Sequence, residues 1–149
     1  MSEYRLTQGI IELSDAKIWD VAKLEWRLAE VYEAEEPDTC LCGHFPIIEI
    51  CVLHNAINGN TTIVGNCCVR KFIGLPSDKI FQAIKRLRKN NEKSLNAEAI
   101  QYAREKKWID EWEKSFYLDI MRKRKLSPKQ LNKKIQINEK IVSNMKRRV

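Results

Sequence analysis

Cys40-Leu41-Cys42-Gly43-His44, then Cys51-Val52-Leu53-His54, then Gly65-Asn66-Cys67-Cys68: the reading of this stretch decides how the rest of the chain is understood. Residues 38–68 hold all five cysteines, both histidines and three of the five glycines. Between the cysteine groups, Ile47-Ile48-Glu49-Ile50-Cys51-Val52-Leu53 is rich in β-branched residues and reads as a strand. Asn58-Gly59-Asn60 is a turn signal, and Thr61-Thr62-Ile63-Val64 reads as the returning strand. A short helix is expected from about Cys67 to Phe72, stopped by Gly74 and Pro76. A tight turn therefore carries Cys40 and Cys42, and a hairpin returns the chain to Cys67 and Cys68 at a helix start. Zinc asks for four borderline or soft ligands in a tetrahedron, and two separated pieces of chain meet that need. Gly43 relieves crowding where the chain bends, and amides at a helix start favour a thiolate.

Seven cysteines and histidines compete for four places. Cys40 and Cys42 come first. One of the neighbours Cys67 and Cys68 can face the same point, because adjacent side chains diverge. The remaining place lies between His44, beside the turn, Cys51, in mid-strand, and His54, in that order. The plainer alternative is that free cysteines are small apolar side chains packed without chemistry, which suits Cys67 and also fits Cys51. A catalytic reading would pair Cys51 with His54, or Cys42 with His44, and Glu49 is the one carboxylate inside the ligand window. There is no H-E-x-x-H, no phosphate-binding glycine loop and no G-x-S-x-G, so the expectation is a protein that is not an enzyme.

The run Cys40–Ile47, then Glu49–Leu53 with Asn55, then Val64-Gly65-Asn66-Cys67-Cys68-Val69-Arg70-Lys71-Phe72 resembles small zinc-ribbon-like proteins of bacteria and their phages. Leu126-Ser127-Pro128-Lys129-Gln130 is similar to a helix start found downstream of such ribbons. The resemblance runs from about residue 14 to residue 142. It implies zinc as cofactor, and of the adjacent pair it places the ligand on Cys68. The expected set is thus Cys40, Cys42, His44 and Cys68, with Cys51 the alternative fourth ligand. Related ribbons occur in DNA-handling proteins, which implies contact with nucleic acid.

Outside this segment the chain reads as helical. Ser14 suits a helix N-cap, and Ile18, Val21, Leu24, Leu28 and Val31 recur at three- and four-residue steps, so an acidic helix is expected to run to Pro37, with residues 1–13 extended or loosely ordered. Ser77 caps a helix carrying Ile80, Phe81, Ile84 and Leu87. Asn96 caps another that continues through Trp108, Trp112, Phe116 and Ile120 with a break near Lys106-Lys107. Ser127-Pro128-Lys129-Gln130 opens the last as a capping box. The fold class expected is α+β, mainly α: a small zinc-bound hairpin, ribbon- or treble-clef-like, packed with about five helices. The organisation expected is an N-terminal acidic helix at 1–37, a metal-binding hairpin module at 38–76 and a basic helical region at 77–149, joined as one compact unit.

The 149 residues carry a net charge of +7, unevenly placed. Residues 1–76 hold 6 Lys/Arg against 11 Asp/Glu, and residues 77–149 hold 21 against 9. A basic half attracts polyanions by steering and counterion release. The expected contacts are Arg122, Lys123, Arg124 and Lys125, then Lys129, Lys133 and Lys134, and at the end Lys146, Arg147 and Arg148. The plain reading of Arg122–Lys125 is a set of cations complementing a helix C-terminus. Trp108, Trp112, Phe116 and Tyr117 could stack on bases, although their spacing also suits a core. The partner expected is therefore DNA or RNA, with a protein partner as the alternative. No apolar run approaches the roughly 20 residues of a bilayer span and no secretion signal is visible, so a cytoplasmic location is expected.

Overall fold

The computed structural model describes residues 2–147, with Ser2 and Arg147 described by their backbone. The fold is α+β, mainly α, with 53% of the chain helical. Instead of one compact unit, the chain divides into two: the residues up to Asp78 together with a short strand at Lys146–Arg147, and Lys79–Met145.

The first unit begins with helix α1 (Ser2–Leu13), followed by one turn of helix α2 (Trp19–Ala22), a 3-10 turn at Lys23–Glu25 and strand β1 (Trp26–Asp38). Strand β2 (Ile47–Asn55) and strand β3 (Thr61–Gly65) form the hairpin expected from the sequence. A helical turn α3 (Asn66–Cys68) runs into a π-helical turn at Val69–Ile73, which Gly74 ends with φ 82°, a left-handed conformation that glycine adopts at little cost. The sheet order is β3-β2-β1-β4, in which β1, β2 and β3 are antiparallel and β4 (Lys146–Arg147) lies parallel to β1. Val31, Cys51 and Val64 sit opposite one another across the three strands, and all three are fully buried.

Two expectations for residues 1–37 are overturned here. Residues 1–13 are not loose: Leu6 and Ile10, one turn apart on α1, are buried. Residues 14–37 are not one acidic helix. Ser14 caps nothing; its hydroxyl donates to the Ile10 carbonyl at 2.6 Å and accepts the indole N–H of Trp26 at 2.8 Å. The three-residue recurrence of Ile18, Val21 and Leu24 leads to exposed side chains, not to a buried stripe. The physical reason is long-range pairing: β2 offers a second edge, and Trp26, Val31 and Tyr32 are aromatic or β-branched side chains that suit a strand once that edge exists. A register shift between Leu28 and Glu30 disguises the two-residue alternation.

The link into β1 is held by Glu25, which is buried. Its carboxylate accepts the backbone N–H groups of Asp15 and Ala16, both at 2.8 Å, and the side-chain amide of Asn55 at 2.9 Å. Asn55 in turn accepts the N–H groups of Ile57 and Asn58.

In the second unit helix α4 (Ser77–Lys89) contributes from Lys79 onward, with helix α5 (Ala97–Glu105), helix α6 (Glu111–Ile120) and helix α7 (Pro128–Met145). The starts predicted at Asn96 and Ser127 are present, whereas Ser77 is itself the first residue of α4 and its hydroxyl donates to Asn66. Asn96 accepts the N–H of Ala99, and Ser127 with Gln130 exchanges the two bonds of a capping box. Asp110 and Glu113 form a further such box. The break expected near Lys106-Lys107 is made by Lys107 at φ 63°. The unit closes over a buried polar chain: the Tyr117 hydroxyl accepts the Leu95 N–H at 2.9 Å and donates to Asn138 at 2.6 Å, and the Asn138 amide donates to the carbonyls of Asn91 and Lys93.

The Glu25 clasp has a pH signature. Hydrogen bonds from Asn55 first, then Ala16, hold its carboxyl pKa below the usual 4.5. A depressed folded-state pKa contributes stability that is complete above the unfolded-state value and is lost as pH falls through the folded one. The melting temperature should therefore drop on acidification below about pH 4.5. Glu25→Gln should melt lower than the parent at neutral pH and lose less on acidification, as read by circular dichroism across a pH series.

Candidate metal centre and basic surface

Cys40 and Cys42 stand on the turn between β1 and β2. The N–H of Gly43 donates to the Cys40 carbonyl at 2.8 Å and the N–H of Cys40 to the His44 carbonyl at 2.9 Å, which bends the chain back on itself. Gly43 has φ 90°, so the bend uses a conformation that other residues take only with strain. The Leu41 N–H donates to the Ile63 carbonyl at 3.0 Å and so ties the turn to β3. Helix α1 packs on the outside of this turn: a methyl group placed on Gly9 would come within 2.9 Å of the Leu41 side chain.

Cys68 arrives from the other end of the hairpin, on α3. Its position is set by Asn66, whose amide donates to Glu49 at 3.2 Å and to Asp78 at 3.0 Å while its carbonyl oxygen accepts the Ser77 hydroxyl at 2.7 Å. The result is that the sulfur atoms of Cys40, Cys42 and Cys68 all lie within 4.8 Å of one another. Three ligands of a tetrahedral ion at about 2.3 Å would have their sulfurs about 3.8 Å apart, so a small closure of this triangle is all that an ion requires.

The electrostatics fit a cation. Burial pushes the Cys40 thiol pKa up, and the N–H groups of Gly65 and Cys42, which point at its sulfur from 3.3 and 3.5 Å, pull it back. Burial and then the neighbouring Cys40 and Cys42 sulfurs drive the Cys68 thiol up. Three sulfurs this close resist ionising together, and a divalent cation between them reverses that balance. This cluster could hold a metal ion.

His44, Cys51 and His54, the three rivals for a fourth place, have no atom in that triangle. His44 is exposed, but it lines the same cavity of about 260 Å³ as the three cysteines, with Ile47, Gly65, Cys67, Lys71 and Phe72. Cys51 is wholly buried in mid-sheet, and burial pushes its thiol up to about 12. His54 is exposed on β2 and pairs in register with Arg27 and Thr61. Cys67 is exposed at the rim.

The expected basic contacts are not all placed alike. Arg122, Lys123, Arg124 and Lys125 are exposed in the loop after α6, and Lys129 is exposed on α7. Lys133 is half-buried. Lys134 departs from the expectation: it is 7% exposed, and burial lowers its ammonium pKa, because its position on α7 turns it inward beside Ile137 and Asn138 rather than toward solvent. Lys146 and Arg147 form β4, and Arg148 lies outside the described residues. A second basic surface belongs to the charge excess of this half but is not singled out by the sequence. Lys85, Arg86, Arg88 and Lys89, with Gln82, line one face of α4, all exposed. The signal for it is the apolar stripe Ile80, Phe81, Ile84 and Leu87, which leaves the cations on the opposite side.

No protein-family profile, curated protein or solved structure matches this chain.

The thiol geometry makes an accessibility prediction. With metal present, Cys67 should be the fast-reacting cysteine toward an alkylating reagent, and Cys40, Cys42 and Cys68 should be protected. After a strong chelator, those three should become reactive together. Peptide mass spectrometry reads the order, and fast labelling of Cys40 in the metal-loaded protein would exclude it as a ligand.

Proposed function

We propose that this chain is a zinc-stabilised nucleic-acid-binding protein. The observation that carries the reading is the separation of two chemistries along the chain: a three-thiol centre in an acidic unit, and a helical unit with 18 Lys/Arg against 8 Asp/Glu over Lys79–Met145. Zinc is the ion chosen because buried thiolates select it over hard cations and because a closed, hairpin-anchored set of ligands suits a structural role. His44 completes the set by turning its imidazole into the cavity it already borders. The basic unit supplies phosphate contacts from Arg122, Lys123, Arg124, Lys125 and Lys129, joined by the α4 face. Such contacts give affinity and orientation rather than sequence choice.

The second reading, a protein-interaction module, is favoured by one observation. Ile18, Val21 and Leu24 are 68%, 51% and 67% exposed within a single short segment, more apolar surface than its fold requires.

Elemental analysis of the purified protein should give one zinc per chain, and chelation should lower the melting temperature, since structural zinc supplies folding energy. His44→Ala should lose zinc faster to a competing chelator, and Cys51→Ala should not. Unchanged melting after complete metal removal would defeat the structural-zinc reading.

Nucleic-acid binding is tested by charge reversal. Arg122→Glu, Lys123→Glu and Arg124→Glu together should weaken binding to a generic oligonucleotide about tenfold or more at low salt, and should flatten the salt dependence by roughly 0.7–0.9 for each phosphate no longer neutralised. Melting should hold, because these side chains are exposed. Parent protein that binds no nucleic acid at low salt but recovers a protein partner would favour the second reading.

A further inference from the structure

The second unit keeps one large ring at its surface. Trp112 on α6 is 61% exposed, whereas Tyr117, five residues on, is wholly buried. Both belong to an aromatic run whose spacing suits a core, but five residues of helix turn them to nearly opposite faces. The Trp112 indole lies parallel to the half-buried Phe116 ring, with centroids 5.3 Å apart and planes 9° from one another. Lys133 on α7 brings its ammonium 5.5 Å from the indole centroid. Lys133 also reaches the Glu113 carboxylate at 3.9 Å, a contact that Lys140 makes more closely at 2.7 Å.

The arrangement is a flat aromatic surface, stacked on Phe116, with a cation over the ring. An indole left in water contributes little to the fold, and stacking on Phe116 fixes the orientation of its plane. The Lys133 contact is a cation–π pair near the surface, weaker than the stacking of a nucleobase on an aromatic ring. A base can therefore take the ring from the ammonium, while Lys140 still neutralises Glu113. Lys133 is then available for a phosphate, and Lys129, one helical turn earlier on α7 and exposed, is placed for the next.

We propose that Trp112, backed by Phe116, is a stacking platform for an unpaired nucleobase, with Lys133 and Lys129 on the flanking phosphates. The ligand is then single-stranded nucleic acid, because bases within a duplex have both faces covered by their neighbours. This rests on the nucleic-acid reading above and narrows it.

The test titrates the full-length protein with short oligo(dT), oligo(U) and a DNA duplex at one fixed salt concentration. Both single strands should bind more tightly than the duplex and should quench tryptophan emission. Trp112→Ala should weaken single-strand binding about tenfold with the salt slope unchanged, since no charge is removed. Trp112→Phe should keep most of the affinity but lose most of the quench, which separates stacking from a general effect on folding. Trp112→Ala binding single strands like the parent, or Trp112→Phe losing as much as Trp112→Ala, overturns the platform alone; in that case charge reversal at Arg122–Arg124 still weakens binding. A parent protein that binds none of the three probes overturns both the platform and the reading beneath it.

Discussion

Three sulfur atoms drawn together from two stretches of chain, with a whole hairpin between them, form the constraint around which the first unit is organised. Thiols this close, two buried and Cys68 half-buried, gain little from one another, and their ionisation is opposed by desolvation and by mutual repulsion. The surrounding structure is nonetheless arranged to hold them there. Leu41 is bonded to β3, Gly43 supplies the bend, two amides face the Cys40 sulfur, and Asn66 fixes the turn that carries Cys68. These contacts converge the three sulfurs on one point, and the cluster they make could hold a metal ion.

How much of this was legible in the sequence depended on how far each signal reached along the chain. The hairpin, the helix starts at Asn96 and Ser127 and the break at Lys107 are local, because the residues that set them also form their hydrogen bonds. The cysteine turn was legible for the same reason. Strand β1 was not. Its side chains gain strand-like surroundings only when β2 lies beside them, and the spacing of Leu24, Leu28 and Val31 offered a helical alternative that nothing nearby contradicted. The role of Glu25 was hidden too, since its partner Asn55 is thirty residues away. Lys134 and Trp112 show the limit of periodicity. Each lies on an amphipathic helix, yet which side is covered was settled by packing, and it put the lysine inside and the indole outside.

The two units divide the work by composition. The first commits its polar groups to internal bonds: Ser14 to Trp26, Glu25 to Asn55, Ser77 to Asn66. The second satisfies its buried polar atoms through Tyr117 and Asn138 and leaves most of its cations at the surface. A buried network of this kind specifies one arrangement of helices, because Asn138 can satisfy both carbonyls it reaches only when the Asn91–Lys93 loop is in place.

Gly9 carries a consequence for how the first unit reports on its centre. A glycine in the middle of α1 costs about 1 kcal/mol of helix propensity relative to alanine, and its use there is explained by the close approach of Leu41. A twelve-residue segment with that handicap is a poor helix in isolation and depends on the cysteine turn as a template. Helicity at the N-terminus is thus a remote gauge of whether the turn is closed, registered by residues that never touch an ion.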